Sequence, residues 1–168
     1  MFLLFLIITI FLAAAHLYPN VGVWIFVLAE VFALIVRTGH HVLVDRLSTL
    51  FQSLKPQQCS IYDSYFWSHE RFWKFMALRH HLTIFDGTPL KSFIWRLLGV
   101  RIGKRVFDDG CYITEKTLVS IGDGCTLGSG SIIQAHSQED GGFKSDYIRI
   151  GAGCTLGVNA FVHYGVTM

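Results

Sequence analysis

The first 36 residues of the chain are almost entirely apolar. Two runs, MFLLFLIITIFLAAAHLY and VGVWIFVLAEVFALIV, flank Pro19-Asn20, and the only charged side chain in this region is Glu30. Each run has about 17 residues, which as a helix spans roughly 25 Å against a hydrocarbon core of about 30 Å. Backbone polar groups in lipid must be satisfied within the segment, so helix is the realistic form. The pattern predicts a transmembrane helical hairpin over residues 1–37, with helices at 2–18 and 21–36.

A cleavable signal peptide is the alternative, since AAAH offers small residues near a cleavage site. The chain lacks the positive start of such a peptide and a second apolar run follows at once, so the hairpin is favoured. Arg37, Arg46 and Lys55 follow the second run. By the positive-inside rule they place the remainder on the cytoplasmic side of the inner membrane. Glu30 is either a functional residue within the membrane or a structural residue that pairs with another side chain inside a helix bundle.

Residues 38–98 are interpreted as interfacial and linker helices. The segment SYFWSHERFWKFMAL, from Ser64 to Leu78, mixes large aromatic side chains with charged ones. It is suited either to the membrane interface or to packing on a core. In GTPLKSFIWRLLG, Pro89 stands at a first helical position and Gly99 ends the helix. Its apolar face is expected to pack on the following domain, and consists of Leu90, Phe93, Ile94, Leu97 and Leu98.

The region 99–168 carries a six-residue repeat. Aliphatic residues recur every sixth position in two blocks, at Ile121, Leu127 and Ile133, then at Ile150, Leu156, Val162 and Met168. Small residues commonly follow four positions later, at Cys125, Ser131, Ser137, Cys154 and Ala160. Such a period marks a parallel β-helix whose short coils bury their aliphatic side chains only by stacking. The repeat predicts three-sided coils with Ile121 over Ile150 and Leu127 over Leu156.

The repeat is interrupted after a histidine. Seventeen residues separate Ile133 from Ile150, six for the repeat and eleven more. The extra residues are polar and contain Gly141-Gly142, so a loop over 138–149 is expected to project from the coils. His136 stands where this loop leaves. A loop on a rigid scaffold often presents functional side chains, which makes His136 a candidate catalytic residue.

Composition narrows the function classes. The net charge of +2 is too small to indicate nucleic-acid binding, and the chain has no Lys/Arg-rich run. No two of the four cysteines have CxxC spacing, so buried packing thiols are favoured over a zinc site. The pairs His40-His41 and His80-His81 have no third ligand at metal spacing, and no metal or bound cofactor is predicted. His163 is interpreted as structural, and Asp108-Asp109 as turn residues.

The chain resembles a known superfamily over residues 99–168. Hexapeptide acyltransferases have a left-handed parallel β-helix, usually as trimers, with a projecting loop and a histidine general base. A wider match is to the C-terminal membrane and acyltransferase-like units of nonribosomal peptide synthetases of the poly-lysine-synthase type. The matching segments are GTP at 87–89, RLLGVRIG at 96–103, ITEKTLVSIGDG at 113–124, QAHSQED at 134–140 and IRIGAGCTLG at 148–157.

The chain departs from this pattern at three points. Ala135 stands where the family has threonine, and Gly141 where it has a basic residue. The family continues for more coils beyond the position of Met168, so a truncated β-helix is expected. His136 is retained.

The resemblance implies transfer of an acyl or aminoacyl group from a thioester to an amine. The donor would be acyl-CoA or a carrier-protein thioester, and His136 would be the general base, a role suited to a side chain with an ordinary pKa near 6.5. Glu139 or Asp140 would orient its imidazole. The membrane, a carrier protein or other synthetase domains, and further copies in a homotrimer are the implied partners.

Three function classes follow from the sequence. One is a membrane-bound acyl or aminoacyl transferase. Another is a non-catalytic structural or docking module derived from such a synthetase. The third is a stand-alone acetyltransferase that acts on an envelope sugar or amine.

Overall fold

A computed structural model describes residues 2–74 and 81–168. The chain divides into two compact units, Met1–Val44 and Asp45–Met168. Part of the SYFWSHERFWKFMAL segment and His80 lie outside the described residues.

Two long apolar helices occupy the N-terminal region. Helix α1 is Phe2–Val21 and helix α2 is Trp24–Ser48, and both are long and apolar enough to cross a membrane. The turn differs from the predicted one, because Pro19 and Asn20 lie inside the last turn of α1. Gly22, with φ +73°, makes the turn, since glycine adopts this left-handed conformation at little cost. Helix α2 runs on past the predicted boundary at residue 37.

Glu30 has a partner within its own helix. The guanidinium of Arg37 donates to its carboxylate, with Nη2 2.6 Å from Oε1. The two residues are seven apart, two turns along α2, so they lie on the same side of the helix.

Residues 101–163 form three-sided stacked coils. Three parallel sheets of three strands each take one strand from each of three coils. The sheets are β2–β5–β10 (Arg101–Ile102, Val119–Ile121, Ile148–Ile150), β3–β6–β11 (Phe107–Asp108, Thr126–Leu127, Thr155–Leu156) and β4–β7–β12 (Tyr112–Ile113, Ile132–Gln134, Phe161–His163). Ile121 pairs with Ile150 and Leu127 with Leu156, which confirms the predicted register.

The predicted loop is a β-hairpin. Strands β8 (His136–Glu139) and β9 (Gly142–Ser145) are joined by a turn at Asp140-Gly141, where both residues have positive φ, the geometry of a tight hairpin turn. Strand β1 (Gln57–Ser60) adds to β9 as the third antiparallel strand. The projection therefore spans 136–145 and begins at His136, whereas residues 148–150 already belong to the coil.

The hairpin accounts for the long step in the repeat. Ile102 and Ile121, which pair between the first two coils, are 19 residues apart, whereas Ile121 and Ile150 are 29 residues apart. The difference of ten equals the length of 136–145. The backbone N–H of Asp146 donates to the Ala135 carbonyl at 3.1 Å and closes the hairpin at its base.

Helix α3 is Ser64–Lys74, and the next helix, α4 (Pro89–Leu98), packs on the first coil through a different face from the predicted one. Its buried residues are Lys91, Ser92, Ile94, Trp95 and Leu98. Three apolar residues of the predicted face are exposed instead: Leu90, Phe93 and Leu97.

The cause of this rotation is Asp108, which takes an inward coil position at the end of β3 and is 1% exposed. It accepts from the Trp95 indole nitrogen at 2.7 Å and lies 3.0 Å from the Lys91 ammonium. Its Oδ1 also accepts from the backbone N–H groups of Gly110 and Cys111 in the turn that follows, at 3.1 and 2.7 Å, in keeping with the predicted turn role. A buried carboxylate needs such partners, so α4 turns Trp95 and Lys91 toward it. Cys111 and Cys125 are buried as expected, whereas Cys59 and Cys154 are partly exposed.

Candidate functional site

His136 is the first residue of the hairpin, two residues after β7 ends. Its Nδ1 lies 2.7 Å from Oε1 of Glu115, and its side chain is 14% exposed. A histidine held by a carboxylate through one ring nitrogen has its tautomer and orientation fixed. The stem of the hairpin thus carries an oriented imidazole at the edge of the coils.

Glu115 lies at the corner between β4 and the 3₁₀ turn Lys116–Leu118, and its side chain is 1% exposed. Its second oxygen accepts from the Thr114 hydroxyl at 2.5 Å and from the Ala135 backbone N–H at 3.1 Å. Burial acts to raise the pKa of Glu115, but hydrogen bonds from His136, His69 and Thr114 outweigh it and lower the pKa to about 2. Glu115 is therefore a fixed, ionised acceptor.

A second histidine reaches the same carboxylate oxygen. His69, on helix α3 (Ser64–Lys74), places Nε2 3.4 Å from Oε1 of Glu115, and its side chain is 3% exposed. The rings of His69 and His136 are 5.6 Å apart and edge to face. Phe143 of β9, fully buried, lies 4.6 Å from the His69 ring and 5.8 Å from the His136 ring. The hairpin and α3 together hold the three polar residues in place.

The acidic residues predicted to orient His136 are engaged elsewhere. Glu139 accepts from the Tyr164 hydroxyl at 2.8 Å and from the Lys144 ammonium at 3.1 Å. These hydrogen bonds, that from Tyr164 first, lower the pKa of Glu139. Asp140 forms the hairpin turn with φ +52°. The structure thus brings His136 together with Glu115 and His69, whereas Glu139 and Asp140 lie at the turn end of the hairpin.

The three residues also form a set of metal-ligand types. One ligand atom from each of His69, Glu115 and His136 lies within 4.8 Å of the others. Two ligands at about 2.0–2.1 Å from one tetrahedral zinc ion are more than 3 Å apart. The 2.7 Å contact between His136 and Glu115 is shorter and has the length of a charge-assisted hydrogen bond. The arrangement therefore fits a shared proton better than a shared ion.

A cavity of about 350 Å³ opens beside His69. Its walls combine polar and apolar surface from the segment after α2 and from α3; they include Gln52, Lys55, Gln57, Tyr65 and Ser68. A small substrate bound in this cavity would lie against an imidazole of the site.

Lys116, the neighbour of Glu115, makes a buried ion pair. Its ammonium lies 2.9 Å from Oδ1 of Asp45, in the last turn of α2. Burial lowers the pKa of Lys116, and the charge of Asp45 opposes that effect. Since breaking a buried pair leaves an uncompensated charge, this contact firmly joins the corner that carries Glu115 to the end of α2.

Sequence reasoning singled out His136 as a candidate and did not single out Glu115 or His69, which lie beside it. A usable signal for Glu115 was the coil register, because Ile113 pairs with Ile133, which places Glu115 beside Ala135, the neighbour of His136. Nothing in the local pattern around His69 distinguishes it from an interfacial residue.

Comparisons with known proteins support the repeat and the wider resemblance. The family model described as hexapeptide repeat of succinyl-transferase matches residues 118–135 and 147–168. The chain is also similar to the delta-poly-L-ornithine synthetase of Acinetobacter baumannii (strain AB307-0294), at 31% identity over 117 residues, which is 68% of this chain and 9% of that protein. The chain thus spans about a tenth of that relative's length. No solved structure matches. These matches confirm the predicted resemblance to hexapeptide-repeat acyltransferases and to poly-amino-acid synthetases.

Proposed function

We propose that this hexapeptide-repeat, acyltransferase-like protein is a membrane-bound transferase that moves an acyl or aminoacyl group from a thioester to an amine. The contact that carries the proposal is the 2.7 Å hydrogen bond between His136 Nδ1 and Glu115. Such a pair is the usual means of holding an imidazole as a general base.

In the proposed reaction the His136–Glu115 pair handles the proton of the acceptor amine. With the imidazole proton on Nδ1 and donated to Glu115, Nε2 is the basic nitrogen. It takes the proton as the amine nitrogen bonds to the thioester carbon. The carbon–sulfur bond then breaks, the sulfur leaves as a thiolate, and the imidazolium returns the proton to it. Ionised Glu115 stabilises the imidazolium in between.

His69 is proposed as a positioning residue for the same pair. It lies 3.4 Å from the carboxylate oxygen that His136 contacts, and packs against Phe143. It thereby restricts the rotation of Glu115. Because it also lines the 350 Å³ cavity, it places that cavity beside the proton-transfer pair.

Donor and partners are proposed from the resemblance. A synthetase relative favours a carrier-protein thioester over acyl-CoA as the donor, and an amino acid such as ornithine as the acceptor. The two long apolar helices support a membrane location. The Arg and Lys residues that follow the second apolar run favour coils on the cytoplasmic side. A left-handed coil and a homotrimer are the corresponding expectations for the repeat domain.

The test uses the full chain in nanodiscs with an aminoacyl N-acetylcysteamine thioester as donor and L-ornithine as acceptor. Amide product is measured by mass spectrometry. His136→Ala should reduce turnover by about 10² or more, the typical size of general-base assistance. The matched control is His163→Ala, on β12 of the next coil, which should keep full turnover.

An intact fold with unchanged turnover in His136→Ala would exclude the general-base role. If the wild type itself gives no product with acyl-CoA, thioester or carrier-bound donors, the docking-module function replaces the transferase.

A further inference from the structure

We propose that helix α4 and the adjoining part of the first coil form a contact surface for anionic phospholipid. The surface consists of an apolar stripe (Leu90, Phe93 and Leu97) and two arginines beside it (Arg96 and Arg105). The inference rests on the membrane location in the proposed function and is independent of the transfer reaction.

The stripe is an exposed apolar face of a well-packed helix. Leu90, Phe93 and Leu97 are spaced i, i+3 and i+7, and are 56%, 53% and 45% exposed. Phe107 of β3 is 49% exposed, and its ring lies 3.8 Å from where a Cβ on Gly87, just before α4, would stand. Since soluble surfaces rarely gather large apolar side chains in this way, the stripe indicates an interaction surface.

The stripe cannot turn inward to the domain core. The opposite face of α4 carries Lys91 and Trp95, whose bonds to Asp108 fix the rotation of the helix. Presenting Phe93 to the core would leave Asp108 buried without these partners. The exposed stripe is thus a fixed property of the fold.

Basic groups border the stripe. Arg96 is exposed, and its Nε donates to the Ile102 carbonyl at 3.1 Å, which holds the guanidinium along the side of α4. Arg96 and Arg105 line an open groove of about 310 Å³ beside the first turn of the helix. Arg101 and Lys104, nearby in the chain, are exposed as well. Apolar side chains with adjacent arginines match the acyl chains and phosphates of an anionic leaflet.

The position of α4 relative to the end of α2 supports this occupant. Gly99, which ends α4, lies against Arg46 in the last turn of α2, with Nη1 2.7 Å from where a Cβ on Gly99 would stand. Arg46 belongs to the same compact unit as α4 and follows the predicted span 21–36 by ten residues, so α4 is held close in the chain to the apolar segment. Self-association through the same surface would bring the arginines of two copies together, which like charges oppose.

The test measures lipid contact in the full chain. A nitroxide label is attached at Phe93→Cys in a Cys59→Ser, Cys154→Ser background. The labelled chain is placed in nanodiscs of phosphatidylcholine with or without phosphatidylglycerol. The control is Val158→Cys, at an apolar position two coils from α4 that is 71% exposed, more than Phe93. We expect the ratio of oxygen to nickel-chelate collision rates to be severalfold higher at 93 than at 158. The difference should grow with phosphatidylglycerol and shrink with added salt.

The double variant Arg96→Gln, Arg105→Gln should make the collision ratio at 93 independent of phosphatidylglycerol. The spectrum at 158 should not change. Equal collision ratios at 93 and 158 would overturn the inference. So would dipolar broadening at 93 that disappears on dilution with unlabelled chain, since that shows a second copy on the stripe. Because no turnover is measured, these outcomes are separate from the fate of the transferase proposal.

Discussion

Glu115 combines burial with a low pKa, and this combination makes it a source of pH-dependent stability. Burial alone would raise the pKa, yet the hydrogen bonds from His136 and His69 lower it well below the ordinary value for a glutamate, to about 2. A carboxyl whose pKa is lower in the folded state stabilises the fold above its unfolded pKa. The stabilisation is lost as pH falls from about 4.5 to about 2.

Glu115→Gln keeps the shape of the side chain and removes this charge. At pH 7 we expect the variant to be less stable, by an amount on the order of 3 kcal/mol. The difference in free energy of unfolding between wild type and variant should shrink as pH is lowered through 4.5. Chemical denaturation at several pH values measures it. Glu139→Gln, at an exposed hairpin position, is the control and should leave stability nearly unchanged. A gap that stays constant down to pH 3 would contradict the expectation.

The sequence allowed His136 to be predicted because the repeat breaks beside it, and a break in a regular pattern is visible in one dimension. Glu115 is 21 residues away, and its approach to His136 depends on how one coil stacks on the next. His69 depends on the docking of a separate helix. Contacts set by long-range packing leave no local trace, which explains why Glu139 and Asp140, close in sequence, were expected in the place of Glu115.

At the scale of elements, Phe143 joins the hairpin to α3. It is fully buried and lies close to the rings of Phe66, His69 and His136. Phe143→Ala should lower the free energy of unfolding by about 3–5 kcal/mol, the usual cost of removing a buried phenyl ring. Phe161→Ala, at a 55% exposed position of β12, should cost within about 0.5 kcal/mol. Urea denaturation measures both, and equal costs would contradict the packing described here.

Equivalent glycines on successive coils offer a matched pair. A Cβ on Gly128 would lie 2.8 Å from backbone atoms of Leu156, Gly157 and Val158, whereas a Cβ on Gly157 would meet nothing within 4 Å. Gly128→Ala should therefore destabilise by about 1–3 kcal/mol, as overpacking typically does. Gly157→Ala should change stability by less than about 0.5 kcal/mol. Thermal unfolding of the two variants measures the contrast, and the reverse order would show that the coils stack differently.

The coil register was predictable because inward positions of a β-helix must be aliphatic in every coil. The buried face of α4 was not predictable in the same way, because the spacing of apolar residues favoured burial of Leu90, Phe93 and Leu97. Two polar contacts of Asp108 decided the rotation. Such contacts outweigh an apolar stripe because a buried carboxylate that loses its indole and ammonium partners costs more than exposed leucines.

At the scale of the whole molecule, the two apolar helices give a topological prediction. A reporter inserted at Gly22 should lie on the opposite side of the membrane from one inserted after Ser48, because α1 and α2 each have the length of a single span. By the positive-inside rule, the later Arg and Lys residues predict that the second site is cytoplasmic. Paired alkaline phosphatase and fluorescent-protein fusions report the two sides. Identical reporting from both sites would exclude the hairpin.

The ten-residue hairpin is a separable insert, because the coil that carries it stacks in the same register as the coil without it. Its base is closed by one backbone hydrogen bond between Asp146 and Ala135. A deletion of 136–145 would remove His136 and Phe143 together and leave the aliphatic stacks aligned. In evolutionary terms, a coil that carries the proposed base and a plain structural coil are one in-frame deletion or insertion apart.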